Sequence, residues 1–454
     1  MKFVIVGTNH AGIAAANTLL DNYGKNNEVI MIDRNNNLSY LGCGTALWVG
    51  RQISSYKKLF YTKPADFEAK GARISLETTV NKIDFENKIV YATTKNHTEI
   101  TEKYDKLILA EGSAPIAPDL PGKDLEGIHF LKLFQEGMAV DQELDKSDVK
   151  TVAVVGAGYI GVEIAEAARR RGKQVLLFDA AKTCLSSYYD PEFSTLMDQN
   201  LRDHGIETHY GELAQEYLGK DGHVCALKTN KGQYQADIVI NCIGFRPNAI
   251  LGGEHLKRFS NGAYLVNRNF QTSDPDVFAV GDCATNYSNA LQATTYIALA
   301  SNAVRSGIVG AHNAAGTVIE GAGVQGSNGI EIYDLKLVST GLSVKAADKF
   351  GLSVKYVDYE DKQLPDFMPA SENAKVKIRI VYEKKTNRIV GAQLASLYDM
   401  HELIHMFSLA IQEGLTMDKL QLLDIFFLPH YNQPYNYVTM AALKADKNLS
   451  LIHI

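Results

Sequence analysis

The chain has 454 residues, 46% hydrophobic and 22% charged, a balance that can bury the cores of about two to four domains. Its 46 basic and 52 acidic residues leave a net charge of −6, which excludes the electrostatic footprint of a nucleic-acid binder. Five scattered cysteines argue against a disulfide framework and for a reducing, cytoplasmic setting, and no apolar run qualifies as a signal peptide or a membrane span.

Residues 3–6 read as a short apolar strand ending at Gly7, followed by a helical pattern to Leu20 and a second strand, 29–32, ending at Asp33. This is a β-α-β unit, and its loop is Gly7-Thr8-Asn9-His10-Ala11-Gly12. Asn9 replaces the second glycine of G-x-G-x-x-G, so the loop alone is a weak signal. The flanking strand and helix and the acid at Asp33 supply the context. Gly7 permits the tight turn and Gly12 the close approach of the helix. The free N–H groups at the start of that helix suit a pyrophosphate, and Asp33 suits a ribose.

Cys43 follows in Ser39-Tyr40-Leu41-Gly42-Cys43-Gly44-Thr45-Ala46-Leu47-Trp48, with no second cysteine near it in sequence. A disulfide-type reductase needs a pair. A lone thiol shortly after a dinucleotide-binding strand points to flavin chemistry passing through one sulfur. The small residues after Cys43 predict a helix whose N-terminus would stabilise a thiolate. Without a resolving cysteine, sulfenic acid can be held reversibly. His10, at the mouth of the first loop, can donate a proton or hydrogen bond at neutral pH.

The pattern recurs at residues 152–155, where a strand leads into Gly156-Ala157-Gly158-Tyr159-Ile160-Gly161, a complete fingerprint. A helix is expected over 162–171 and a strand over 175–178 ending at Asp179. An acid there accepts from the adenosine 2′-hydroxyl and repels a 2′-phosphate, favouring NADH over NADPH. Residues 276–282 read as another buried strand ending in an acid, placed to complete the first domain. The second nucleotide fold is therefore expected to be inserted in the first. From about residue 323 the character changes. Residues 376–382 alternate at period two, turn at Lys385-Thr386-Asn387 and return through 389–392. Leu403, Met406, Phe407 and Ala410 then mark a helix face. An α+β C-terminal domain is expected. Cys184, Cys225, Cys242 and Cys283 read as structural. His401-Glu402-Leu403-Ile404-His405 matches H-E-x-x-H, but its helix faces a core, and no metal is expected there.

Taken together, residues 7–12, 39–50, 156–163, 242–248, 280–284, 296–303 and 426–437 resemble the flavin disulfide-reductase superfamily, in its NADH oxidase and NADH peroxidase branch. The stretch around Cys43 is most similar to the water-forming NADH oxidases. Coenzyme A disulfide reductases usually have Asn where this chain has Gly42. The resemblance implies an α/β fold with two Rossmann-like domains: FAD on 1–115 and 250–322, NADH on 116–249, and a dimerisation domain over 323–454. It implies a cytoplasmic homodimer that uses FAD, NADH (NAD+) and O2, without nucleic acid or membrane. Cys43 and His10 would be catalytic, the sulfur cycling to sulfenic acid, with His10 beside it. Lys132 and Glu163 would pair near the flavin, Tyr159 would gate the nicotinamide pocket, and Asp282 would bind FAD. Gly7, Asn9, His10, Ala11, Gly12, Asp33, Cys43, Ala110, Gly112 and Gly281 join the FAD contacts. Gly156, Gly158, Ile160, Gly161, Asp179, Ile243 and Gly244 join those to NADH. Residues 426–437 would form a dimer interface, with His430 a weaker candidate. One departure is Glu111, where the family usually has Thr. The expected activity is reduction of O2 to two H2O by two NADH. The alternatives are an NADH peroxidase, a coenzyme A disulfide reductase, or a flavin redox sensor of low turnover.

Overall fold

A computed structural model describes residues 1–371 and 373–445. Residues 446–454, which the sequence reading assigns to the third domain, lie outside the described residues. Two five-stranded parallel sheets and one five-stranded antiparallel sheet organise the chain.

In the first sheet the strands run Val277–Ala279, Lys106–Leu109, Lys2–Val6, Glu28–Ile32 and Arg73–Ser75. Phe3 pairs with Val29 and Lys106, and Val6 with Ile32 and Leu109. Both faces are covered, so the strands are almost continuously apolar and buried. The second sheet runs Ile128–Phe130, Ile238–Asn241, Thr151–Val155, Gln174–Asp179 and Ile206–Tyr210, the same layout except that its first edge strand precedes the others in the chain. The chain thus leaves the first sheet, builds the second and returns to the first at Val277–Ala279.

The third sheet carries the helix Leu403–Gln412, with Phe407 and Ala410 buried against it. Its strand Lys375–Glu383 pairs with Ile389–Ser396, as the alternating pattern predicts. Among the described residues no helix is long and apolar enough to cross a membrane.

Several local expectations need correction. The second-loop helix is Tyr159–Arg170, so Tyr159, Ile160 and Gly161 belong to it rather than to the loop. The 276–282 stretch is a strand only over Val277–Ala279; Gly281, at φ +72°, ends it in a 3₁₀ turn. Cys225 is exposed on the strand His223–Thr229, and so is not a core residue.

Candidate functional site

Two similar cradles frame the site. In each, the first glycine has positive φ and no room for a side chain. A Cβ on Gly7, at φ +104°, would meet Ala110 O at 2.1 Å, and one on Gly156, at φ +103°, would meet Cys242 O at 2.4 Å. The third glycine lets the helix sit on the loop: a Cβ on Gly12 would meet Gly7 O at 1.9 Å, and one on Gly161 would meet Gly156 O at 1.7 Å. The second position differs. Asn9 and Gly158 both have negative φ, −106° and −76°, so glycine is not needed for the backbone there. A Cβ on Gly158 meets nothing within 4 Å, leaving an open approach to the helix N-terminus. These cradles fit dinucleotides.

The two acids are bound to their own loops. Asp33 Oδ2 accepts from Thr8 N–H at 2.7 Å and Thr8 Oγ1 at 3.0 Å, while Oδ1 accepts from Asn35 N–H at 2.8 Å and Asn35 Nδ2 at 2.9 Å. About four acceptor sites exist on a carboxylate, so a ribose at Asp33 must displace a donor. Among the described residues Asp179 accepts only from Ala157 N–H at 2.6 Å and Ala181 N–H at 2.7 Å, and keeps capacity for a ribose.

Between the cradles, Asp282 collects the polar groups. Its Oδ2 accepts from Ser113 Oγ at 2.7 Å and from Lys132 Nζ at 3.2 Å, and its carbonyl accepts from Tyr296 OH at 2.8 Å. Lys132 also lies over the Phe245 ring, 4.9 Å from its centroid. The expected Lys132–Glu163 pair is therefore not the one formed. Glu163 has no hydrogen-bond donor among the described residues; burial, with Glu166 three residues on, pushes its carboxyl up to about 7. Lys132 pairs with Asp282 instead.

Cys43 sits in a 3₁₀ turn, Gly42–Gly44, ahead of a short helix, Thr45–Val49. It is exposed, yet it lies in a recess where desolvation dominates. Burial first, then Glu163, push its thiol up; Lys132 and its own backbone N–H pull it down, and Asp282 pushes weakly upward. The helix expected after Cys43 forms over Thr45–Val49, and burial is the largest influence on the thiol, raising it. His10 opens the helix His10–Tyr23, and its partner is Tyr61 rather than Cys43. Their rings stack at 5.9 Å with 1° between planes, and Nδ1 lies 3.3 Å from Tyr61 OH. Burial lowers the imidazole below its ordinary value, Asp282 opposes this and Lys132 reinforces it, so His10 is a neutral donor at pH 7. His10 and Cys43 both feel Lys132 and Asp282, which places them around one centre.

Glu111 turns away from that centre. Its Oε1 accepts from Tyr264 OH at 2.6 Å, and burial pushes its carboxyl up to about 7. Ala110 and Gly112 flank it, and the matching turn of the second cradle carries Ile243, 40% exposed, and Gly244 at φ +119°. Ala11 packs against Gly281, whose added Cβ would meet Ala11 Cβ at 2.9 Å. Tyr159 is tethered: its hydroxyl donates to Asn328 Oδ1 and lies 2.9 Å from Tyr189 OH. Sequence reasoning missed Tyr61, Ser113, Tyr264 and Asn328, since none has a spacing signal to its partner. In H-E-x-x-H, His401 precedes the helix and binds Asp399 at 2.5 Å, while Glu402 accepts from His405 at 3.1 Å. Among the described residues no group of three or more His, Cys, Asp or Glu could hold a metal. The 426–437 segment exposes Phe426 (67%), Tyr431 and Tyr435.

These cradles and this centre define a two-nucleotide oxidoreductase. The chain belongs to the pyridine nucleotide-disulphide oxidoreductase family, a family of FAD-dependent enzymes: the family model matches residues 1–307, and its dimerisation-domain model matches residues 329–436. It is similar to the NADH oxidase of Lactococcus lactis subsp. cremoris, 63% identical over 98% of this chain and 100% of that one. The NADH oxidase of Streptococcus pyogenes is 51% identical over 98% and 99% of the two chains. Among solved structures, the water-forming NADH oxidase from Lactobacillus brevis bound to NADH superposes with a TM-score of 0.95, at 35% identity and 99% coverage of both chains.

Proposed function

We propose that this chain is an FAD-dependent NADH oxidase that reduces one O2 to two H2O with two NADH, through the single sulfur of Cys43. The observation that carries the reading is one exposed thiol between two dinucleotide cradles that feels both Lys132 and Asp282, in a chain whose five cysteines are all free. Residues 1–115 and 250–322 would hold FAD, 116–249 NADH, and the domain from 323 onward the second copy of a cytoplasmic homodimer. Bound FAD supplies the two-electron relay from NADH to oxygen.

The chain's own groups do the rest. Gly7–Gly12 and Gly156–Gly161 cradle pyrophosphates, and Asp179 accepts from the NADH ribose. Asp282, with Ser113 and Lys132, orients the flavin chain. Peroxide made from the first NADH is met by Cys43. The thiolate attacks one oxygen, the O–O bond breaks, and hydroxide leaves, taking a proton to become water. The second NADH supplies two electrons; with one proton, sulfenic acid returns to thiolate and releases the second water. Neutral His10, held by Tyr61, can donate a hydrogen bond to the oxygen species.

The test is the ratio of NADH to O2 consumed, with and without catalase. Two NADH per O2, unaffected by catalase, is expected. Cys43→Ser is expected to consume one NADH per O2 and release peroxide; if it still makes only water, Cys43 is not the reducing sulfur. Because the thiol is pushed up, thiolate grows with pH, so peroxide leaking from the parent enzyme should fall from pH 6 to 9. NADH loss only on adding peroxide would instead identify a peroxidase.

A further inference from the structure

The hairpin formed by Asn328–Ile332 and Leu335–Gly341 reaches from the third sheet onto the second nucleotide fold. Its turn is a clamp. Tyr333 stacks on His204 with centroids 3.6 Å apart, lies 4.7 Å from the Arg170 guanidinium, and donates its N–H to the buried Glu166 at 2.8 Å. Asn200 Nδ2 donates to Ile332 O at 3.0 Å. These contacts fix the helices Tyr159–Arg170 and Pro191–Asp203 against the sheet.

The root of the same hairpin holds a single side chain of the cradle. Asn328 Oδ1 accepts from Tyr159 OH, from Ser339 Oγ at 3.1 Å and from Tyr189 OH at 3.4 Å. Its Nδ2 donates to Gly326 O at 2.6 Å, which decides which end of the amide faces the tyrosines. The Tyr159 ring meets Tyr188 edge-on at 4.5 Å. Tyr159 is the first residue of its helix, next to the open approach at Gly158. With the helix clamped, the end of the Tyr159 ring is held by Asn328 and Tyr189.

We propose that Asn328 is a positioning residue for the pyridine nucleotide, a latch that holds the Tyr159 ring in the place the nicotinamide takes, so that binding must break the Tyr159–Asn328 hydrogen bond. The inference rests on the reading that Tyr159 lines the nicotinamide subsite. A hydrogen bond lost on binding lowers affinity; cutting it beforehand restores that affinity.

The experiment is calorimetric titration of the flavin-loaded enzyme with NAD+, which binds without turnover, for Asn328→Ala, Tyr159→Phe and the double variant. Each single change removes the same bond and is expected to tighten NAD+ by about three- to tenfold. The double variant should bind no more tightly than either single one. KM for NADH should fall with the dissociation constant in both. Ser339→Ala, which removes a different donor from Asn328, should stay within about twofold of the parent. Unchanged or weaker NAD+ binding in Asn328→Ala, or additive effects in the double variant, would overturn the latch. Tyr159→Ala separates the two readings. If removing the ring alters NAD+ affinity while Asn328→Ala does not, the latch alone fails. If removing the ring alters nothing, the assignment of Tyr159 to the nicotinamide subsite fails as well.

Discussion

The two cradles have one backbone plan and different chemistry at three matching positions. In both, the first glycine lies against a carbonyl of the turn after the neighbouring strand, Ala110 in one and Cys242 in the other. In both, an acid on the next strand accepts the N–H that follows that glycine, from Thr8 and from Ala157. They part at Asn9 against Gly158, at the fully engaged Asp33 against the half-engaged Asp179, and at Glu111 against Ile243. The lesson is that the turn geometry fixes which glycines are obligatory, while the remaining positions are free to specialise. The first cradle is closed by its own side chains, as suits a ligand that stays. The second is left open, as suits one that comes and goes.

The largest expected effect comes from the first glycines. Gly156→Ala should weaken NADH by about 100-fold or more while the protein stays yellow, and Gly7→Ala should lose flavin, because each Cβ meets backbone that cannot yield. Absorbance at the flavin band and NAD+ titration read the two losses separately; flavin loss from Gly156→Ala would break the assignment of the cradles.

Next come the acids. Asp179→Asn should cut the preference for NADH over NADPH by about tenfold with flavin occupancy unchanged. Asp33→Asn should instead lower flavin occupancy, since a single amide oxygen cannot serve four donors. Ratios of kcat/KM for the two nucleotides and flavin content per chain check this contrast.

Glu111 tests the third difference. Its carboxyl is raised in the fold to about 7, so the native state holds a proton that the unfolded chain releases near 4.5. Stability therefore falls as pH rises through this window. Glu111→Gln removes that loss and should gain about 1–2 kcal/mol relative to the parent at pH 8, with less gain at pH 5. Denaturant unfolding at both pH values is the measurement, and equal gains at the two would remove burial of the charge as the cause. The smallest effect is Asn9→Gly, expected within about 0.5 kcal/mol, because φ there is ordinary and no side-chain cap is lost. Thermal melting of the loaded enzyme settles it.

The chain order of the strands, the two glycine loops, the return at 277–279 and the C-terminal hairpin were legible because they rest on local rules. A glycine with positive φ, an apolar run and a period-two alternation each carry their meaning within a few residues. So did the solitary state of Cys43. Its thiol chemistry was not legible. Whether a sulfur is held as thiolate depends first on how far the fold desolvates it and then on the charged groups it brings near, and Glu163 and Lys132 are far away in sequence. The partner of Lys132 was decided in the same way, by a fold that brings Asp282 within 3.2 Å of its ammonium. Tyr61 beside His10, Tyr264 beneath Glu111 and Asn328 on Tyr159 lie 51, 153 and 169 residues from their partners. The sequence by itself determined the cradles and the solitary cysteine beside the first of them. Only the tertiary structure decided the burial and charged neighbours of that thiol and which hydrogen bonds close or open each cradle, because both depend on desolvation and on contacts between distant segments.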